Sequence, residues 1–215
     1  MIIAIDGPAG AGKGTLARRL AAEFGLAYLD TGALYRAVGI AVLDAGRDPA
    51  DPAAAEAAAR ALDHRLLDSP RLRTEAAGDA ASKVAAIPGV RAALLDFQRG
   101  FAAQPPSPST GAVLDGRDVG TVVCPGADLK LFVTATAEER ARRRTLELRA
   151  KGIDAIQDRV LADMLARDER DRDRKVAPLA PANDAVVLDT TAMDADMVFL
   201  HAAALVRKKT AAARA

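Results

Sequence analysis

The sequence predicts a three-layer α/β fold, a five-stranded parallel sheet with helices on both faces. Three observations lead to it. Short apolar runs near residues 2–6, 26–29, 112–115, 129–133 and 185–188 read as buried strands. Stretches with helical spacing lie between most of them, as the crossovers of a parallel sheet require. Four glycines, Gly7, Gly10, Gly12 and Gly14, crowd between the first run and the helix that follows it.

The first strand, Met1 to Asp6, carries the β-branched residues Ile2, Ile3 and Ile5. It leads into Gly7-Pro8-Ala9-Gly10-Ala11-Gly12-Lys13-Gly14-Thr15, which matches the pattern GxxxxGK, and Leu16, Ala17 and Leu20 continue as a helix. Strand, loop and helix in that order identify a P-loop and narrow the fold to that of the P-loop NTPases. Glycines let the backbone wind tightly enough for successive N–H groups to face an anion at the positive end of the helix dipole. Lys13 reaches toward β- and γ-phosphates, so a nucleoside triphosphate fits the cradle. The pattern commonly has Ser or Thr directly after the lysine. Here Gly14 intervenes before Thr15, which leaves open the hydroxyl nearest a metal.

Leu26 to Leu29 is a second strand, ending at Asp30-Thr31-Gly32, and Ala33 to Leu43 reads as a helix with Thr31 as N-cap. Asp30 and Thr31 cap this helix on one reading. On the other, Thr31, Tyr35 and Arg36 present a hydroxyl, a phenol and a guanidinium beside the phosphate loop, and spacing alone does not choose. Asp51-Pro52 opens an alanine-rich helix to about Leu62. Asp63 to Thr74 lacks periodicity, is interrupted by Pro70, and is expected to be loop. Glu75 to Ala86 is helical, and Pro88 starts a helix with Val90, Leu94, Phe97 and Phe101 on its apolar side. A proline-rich break at 104–109 precedes the strand Ala112 to Asp115 and the polar cluster Gly116-Arg117-Asp118-Val119-Gly120. A strand ending in Asp at this place resembles the second nucleotide-binding motif, whose carboxylate lies near magnesium.

After the strand Leu129 to Val133, a helix runs from Ala137 to Lys151 and stops at Gly152. The next, Ile156 to Arg170, enters the run 167–175, with five basic and four acidic residues. A solvated face is the ordinary reading of such a run. Yet Arg167, Asp171 and Arg174 stand at i, i+4 and i+7 and share one face. Ala185 to Leu188 is the last strand and Asp194 to Lys209 a closing helix, with Thr210 to Ala215 expected to fray. The core thus comprises 1–43, 105–149 and 181–215. The detours 44–104 and 150–180 are not needed for the sheet, and segments of that kind serve as substrate clamps and lids.

Composition narrows the function further. With 30 Lys+Arg against 29 Asp+Glu the net charge is +1, and aromatics make up 3%. Neither a global field for a polyanion nor a stacking surface for bases is present, which excludes nucleic acid as the expected partner. The single cysteine, Cys124, rules out an internal disulfide or a Cys-based metal site and suits a reducing cytoplasm. A strand at the very start leaves no room for a signal peptide, and no apolar run approaches membrane-spanning length, so a cytoplasmic protein is expected. His64 and His201 are the only histidines and are read as structural or solvated.

Four blocks, in order, carry a resemblance: residues 7–15, Leu29-Asp30-Thr31-Gly32-Ala33-Leu34-Tyr35-Arg36, Asp115-Gly116-Arg117-Asp118-Val119-Gly120-Thr121, and Arg170-Asp171-Arg172-Asp173-Arg174. Over nearly the whole chain it resembles the nucleoside monophosphate kinases, and among them the bacterial cytidylate kinases. Adenylate kinases share the Gly-Lys-Gly-Thr ending but usually carry the loop proline one residue later than Pro8. The resemblance implies ATP and Mg²⁺, the substrates CMP and dCMP, and a monomer. It implies ATP phosphates on Gly7 and on Gly10, Ala11, Gly12, Lys13, Gly14 and Thr15, with Thr15 and Asp115 near the metal, the latter directly or through water. It further implies the monophosphate on Thr31, Tyr35, Arg36 and Arg117, cytosine on Ser82, Arg91 and Asp118, sugar on Arg167 and Asp171, and a lid arginine at Arg174. Lys13, Arg117 and Arg174 are then the catalytic cations.

A phosphate acceptor is already an anionic nucleophile, so such a reaction needs positioning and charge neutralisation and no general base. A carboxylate at Asp118 accepts from the cytosine amine, whereas uracil would turn a carbonyl oxygen toward it. The family's first detour usually includes a small antiparallel sheet, but Leu62 to Ala81 holds no alternating run long enough and is expected to be loop and helix. Clustered arginines repel until phosphates neutralise them, so 167–175 is expected to lie open without nucleotide and close over bound substrates. A kinase for another nucleoside monophosphate, or a P-loop ATPase acting on a protein partner, remain the alternatives.

Overall fold

Five parallel strands form the sheet in the computed structural model, which describes residues 1–212. They are β1 (Ile2–Asp6), β2 (Ala27–Asp30), β3 (Ala112–Gly116), β4 (Leu129–Thr134) and β5 (Val186–Asp189), in the order β2-β3-β1-β4-β5. β1 lies centrally, with Ile3 opposite Val113 on one side and Leu129 on the other. Side chains alternate across a strand, which sends Ile3 and Ile5 to one face and Ala4 to the other. On the first face Ile3 and Ile5 meet Leu16 and Leu20 of α1 (Lys13–Phe24) and Ala202 and Val206 of the last helix, α8 (Ala195–Ala212). Each such fully buried Ile contributes about 1.5–3 kcal/mol relative to exposure. On the second face Ala4, Leu29 and Leu114 meet Ala102, Val119 and Val123.

The helices largely follow expectation, with differences at their ends. α2 spans Thr31–Asp44 and its N-cap is Asp30, whose carboxylate accepts from the Ala33 N–H at 3.1 Å. Thr31 is therefore the first helical residue and not the cap, because its hydroxyl is directed instead to the Asp115 carbonyl at 2.7 Å. α3 (Pro52–Arg60) has the expected Asp51 cap and proline start. Residues 63–74 are more ordered than plain loop, folding into 3-10 turns at His64–Asp68 and Pro70–Arg73. α4 (Glu75–Val84) follows, so 62–81 holds turns and helix without a strand.

α5 (Pro88–Ala103) buries Val90, Arg91, Leu94, Gln98 and Ala102. Phe97 and Phe101, expected on the apolar side, are only partly buried; of the two polar residues on the inner face, Arg91 borders a cavity and Gln98 donates its amide to the Leu94 carbonyl at 3.0 Å. Leu34, Val38 and Val42 of α2 share a core with Ala55, Ala59, Val84, Val90 and Leu94, which joins the first detour to the sheet layer through α2.

α6 (Ala137–Ala150), a core helix, forms a hairpin with α7 (Gln157–Arg172) of the second detour. α7 does not stand away from the body: Arg170 pairs with Asp79 of α4 at 2.9 Å, and Asp171 with Arg117 at 3.0 Å. Pairs between the run and residues outside it hold it down, an effect that charge repulsion among the arginines alone leaves out. α8 continues through Ala212, past the expected fraying at Thr210, and 213–215 lie outside the described residues.

Candidate active site

The P-loop leaves β1 at the carboxyl edge of the sheet, where ligands of open parallel α/β sheets collect. Gly7 forms its root. With φ at +143°, and with any Cβ there only 1.9 Å from the Val133 carbonyl oxygen, no side chain fits. Gly10, at φ +75°, is pressed between Arg140 and Met164. The loop divides two cavities. The first, of about 700 Å³, holds Gly10, Lys13, Gly14, Thr31, Tyr35, Arg36, Ser82, Arg91, Asp115, Arg117, Asp118, Arg167, Asp171 and Arg174 on its walls. The second, of about 680 Å³, is lined by Gly10, Ala11, Gly12 and Thr15 together with Arg142, Arg143, Thr191 and Met193. Arg144 and Glu147 border both.

Lys13 is buried and donates to the Pro8 carbonyl at 2.8 Å. Burial, then the nearby Arg117 guanidinium, lowers its ammonium to about 7. Asp115 accepts from the Tyr28 hydroxyl at 3.1 Å, and burial, then the charge of Asp30, raises it to about 6. A Cβ on Gly14 would lie 3.2 Å from Asp115 Oδ2, so this carboxylate lies against the loop where the common pattern places a hydroxyl. Thr15 is exposed and faces the second cavity, so the two residues assigned to the metal do not share one.

The far wall of the first cavity is a network of guanidinium groups and carboxylates. Arg36 pairs with Asp30 at 2.6 Å, and Arg117 donates from Nη1 to the Gly116 carbonyl at 3.1 Å while Nε holds Asp171. Arg174 donates from Nε to the Asp171 carbonyl at 3.2 Å. Burial, followed by the charge of Arg117, lowers Arg167 to about 10. Burial pushes Asp171 up, but Arg117, Arg174 and Arg167 together outweigh it and hold the carboxyl below its usual range. Arg36 Nε, Arg167 Nε and Arg174 Nη2 are buried without a hydrogen-bond partner. Unpartnered buried donors are rare, and all three belong to arginines on the wall of the first cavity, a cationic lining that suits an anionic ligand.

At the inner end Arg91 Nη2 binds Asp118 Oδ2, both side chains being buried. Burial raises Asp118, with Arg91 opposing it. Tyr35 is buried beside them, its ring centroid 5.6 Å from the Arg91 guanidinium carbon. Ser82 lies within 3.5 Å of Asp171 Oδ1 and accepts from Arg170 Nε at 3.4 Å, so it neighbours the Asp171 network.

The sequence reading missed three contributors. Asp30 joins both Arg36 and the field on Asp115. Arg140 and Asp168 form a buried pair under the loop. Asp6 binds the turn after β3. Asp6 had a signal, since it ends β1 as an acidic residue opposite Gly116, directly after Asp115. Among the described residues no group of three or more His, Cys, Asp or Glu is arranged to hold a metal unaided. Mg²⁺ commonly takes only one or two carboxylates plus phosphates and water, and Asp115, lying against Gly14 of the loop, fits that demand.

A sequence-family model described as cytidylate kinase matches residues 3–208. The chain is 64% identical over 208 residues to a cytidylate kinase of Paramagnetospirillum magneticum, with 97% of this chain and 98% of that protein covered. It is 60% identical over 210 residues to a cytidylate kinase of Rhodospirillum rubrum, covering 98% and 99%. An uncharacterized protein from Eubacterium ventriosum, known as a crystal structure, shares the fold at a TM-score of 0.57 with 13% identity, covering 96% of this chain and 98% of that one. Match to the family model from end to end, and identity of this order over whole chains, lead to one assignment: the chain belongs to the cytidylate kinase family.

Proposed function

We propose that this chain phosphorylates CMP to CDP, and dCMP to dCDP, with ATP as donor, and that the two cavities take the two nucleotides. The observation that carries the division is the set of buried guanidinium donors without partners, Arg36 Nε, Arg167 Nε and Arg174 Nη2, on arginines that line the first cavity together with Lys13. Phosphates of both nucleotides meeting there would satisfy those donors. Gly10 to Thr15 hold the ATP phosphates, and the second cavity receives the rest of ATP.

In the first cavity Arg36 and Arg117 hold the monophosphate, Arg167 and Asp171 the sugar, and Arg91 with Asp118 the base. Ser82 supports the base pocket from the Asp171 side. Thr31 positions the monophosphate end by tying α2 to the end of β3, and Tyr35 walls it. Lys13, Arg117 and Arg174 offset the charge that spreads over the transferring phosphoryl group, and the phosphate acceptor needs no base. Asp115 would hold Mg²⁺, which supplies further charge neutralisation when bound. Residues 44–104 act as the monophosphate-binding insert and 150–180 as the lid. A coupled assay of ADP release with no acceptor, CMP, dCMP, UMP, AMP or GMP tests this reading. CMP and dCMP are expected to stimulate release and the others little. Equal release without any acceptor would favour an ATPase instead.

A further inference from the structure

We propose that Asp6 is a positioning residue for base selection: from the strand that leads into the P-loop, its carboxylate clamps the turn that presents Arg117 and Asp118 to the monophosphate. The proposal rests on the reading that CMP occupies the first cavity. Asp6 itself is not on the wall of that cavity. It closes β1, opposite Gly116 of β3. Its Oδ1 accepts from the Val119 N–H at 2.8 Å and its Oδ2 from the Gly120 N–H at 2.7 Å. These amides open the single π-helical turn Val119–Val123, where the first N–H groups have no partner within the turn. Both residues are buried, and so is Asp6, so the two donors depend on this carboxylate.

Asp118 immediately precedes the clamped pair, at φ −146° and ψ 23°. Fixing the next two amides therefore fixes the direction in which the Asp118 side chain leaves the backbone toward Arg91. The fit is close: a Cβ on Gly120 would lie 3.3 Å from Asp6 Oδ2 and 3.2 Å from the Lys130 Cδ atom. Two acceptor oxygens are needed at once, which among side chains of this length only a carboxylate supplies. An amide would turn an NH₂ group toward one of the two N–H donors. Asp6 thereby links the P-loop strand, on the ATP side, to the loop that reads the other nucleotide.

Asp6→Asn and Asp6→Ala test this in the full chain. Loss of a buried acceptor is expected to raise KM for CMP about tenfold or more and to narrow the CMP to UMP ratio of kcat/KM by a similar factor. KM for ATP should rise less than KM for CMP, since both Asp6 oxygens are held by the Val119 and Gly120 amides and not by those of the P-loop. Deuterium exchange of the Val119 and Gly120 amides should quicken in the variants without any nucleotide, with β1 and α1 unchanged. An unaltered CMP to UMP ratio, equal losses for CMP and ATP, or failure of both variants to fold would leave Asp6 a support of the fold alone and overturn the proposal. A parent enzyme with no preference for CMP would instead refute the substrate reading. The amide exchange would still decide the clamp.

Discussion

Arg140 of α6 and Asp168 of α7 form a buried ion pair, Nη2 to Oδ2 at 2.7 Å, directly beneath the P-loop. The remaining nitrogens of the same guanidinium donate to the Ala9 carbonyl of the loop and to the Ala135 carbonyl after β4, each at 3.0 Å. One side chain thus joins the phosphate loop to the helix that bears Arg167 and Asp171. Asp168→Asn keeps the shape and weakens that joint. It is expected to quicken deuterium exchange across 157–174 and to lower kcat/KM about 10- to 100-fold, as small misplacements of positioned groups do. Unchanged exchange in α7 would show that the pair does not hold the hairpin.

Lys13→Ala should leave a folded protein with turnover reduced about 10²–10³-fold, the usual effect of removing one donor aimed at transition-state charge. Circular dichroism and the coupled assay together check it. Near-normal activity would remove the P-loop from the mechanism.

Lys13 also leads to a pH prediction. Its ammonium is held at about 7 by burial and Arg117, so at pH 8 it is mostly neutral before ATP binds. Adjacent phosphate charge favours the protonated form and raises the pKa, so binding at pH 8 takes up about one proton, and much less at pH 6. Calorimetry in buffers of different ionisation enthalpy measures this. By the same sign, ATP affinity weakens as pH rises above 7. Proton release on binding at pH 8 would contradict the assignment.

Arg36→Ala and Arg117→Ala should weaken CMP far more than ATP, by about 10–100-fold for loss of a charge-assisted contact. The second variant also leaves Asp171 without its closest cation. Separate KM measurements for the two substrates decide the matter, and equal losses would mean that these arginines serve the other nucleotide.

Asp118→Asn should narrow the CMP to UMP preference about ten- to a hundredfold, since the amide can rotate to donate to a uracil carbonyl. The pairing with Arg91 adds a second expectation, a lower melting temperature, because a buried guanidinium loses its counter-charge. An unchanged ratio of kcat/KM would show that Asp118 does not read the base.

Sequence alone determined the sheet and the loop. Ile2, Ile3 and Ile5 before four glycines, and helical spacing between the other strands, are local patterns, and local patterns set where strands, turns and helices begin. The same holds for Asp51-Pro52, which capped its helix as read, and for 62–81, which formed no strand. Spacing also placed Arg167 and Asp171 on one face of α7, whereas Arg174 lies beyond its end and reaches the same cavity from there, and the four matched blocks named Lys13, Thr31, Tyr35, Arg36, Arg117 and Asp118 on its walls.

Only the tertiary structure decided which partner each polar group takes. The Thr31 hydroxyl goes to a carbonyl 84 residues away and Asp30 caps instead; Arg91 and Gln98 turn inward on α5 where Phe97 and Phe101 were expected. Gly14 admits the Asp115 carboxylate while Thr15 faces the other cavity, and Asp6 reaches amides more than a hundred residues away. A hydrogen bond or ion pair between distant segments depends on distance and burial, and neither has a period in the sequence. Charge shows the same limit: the arginine-rich run looks self-repelling in one dimension, and it is docked here because Asp79 meets its Arg170 while its own Asp168 and Asp171 pair with Arg140 and Arg117.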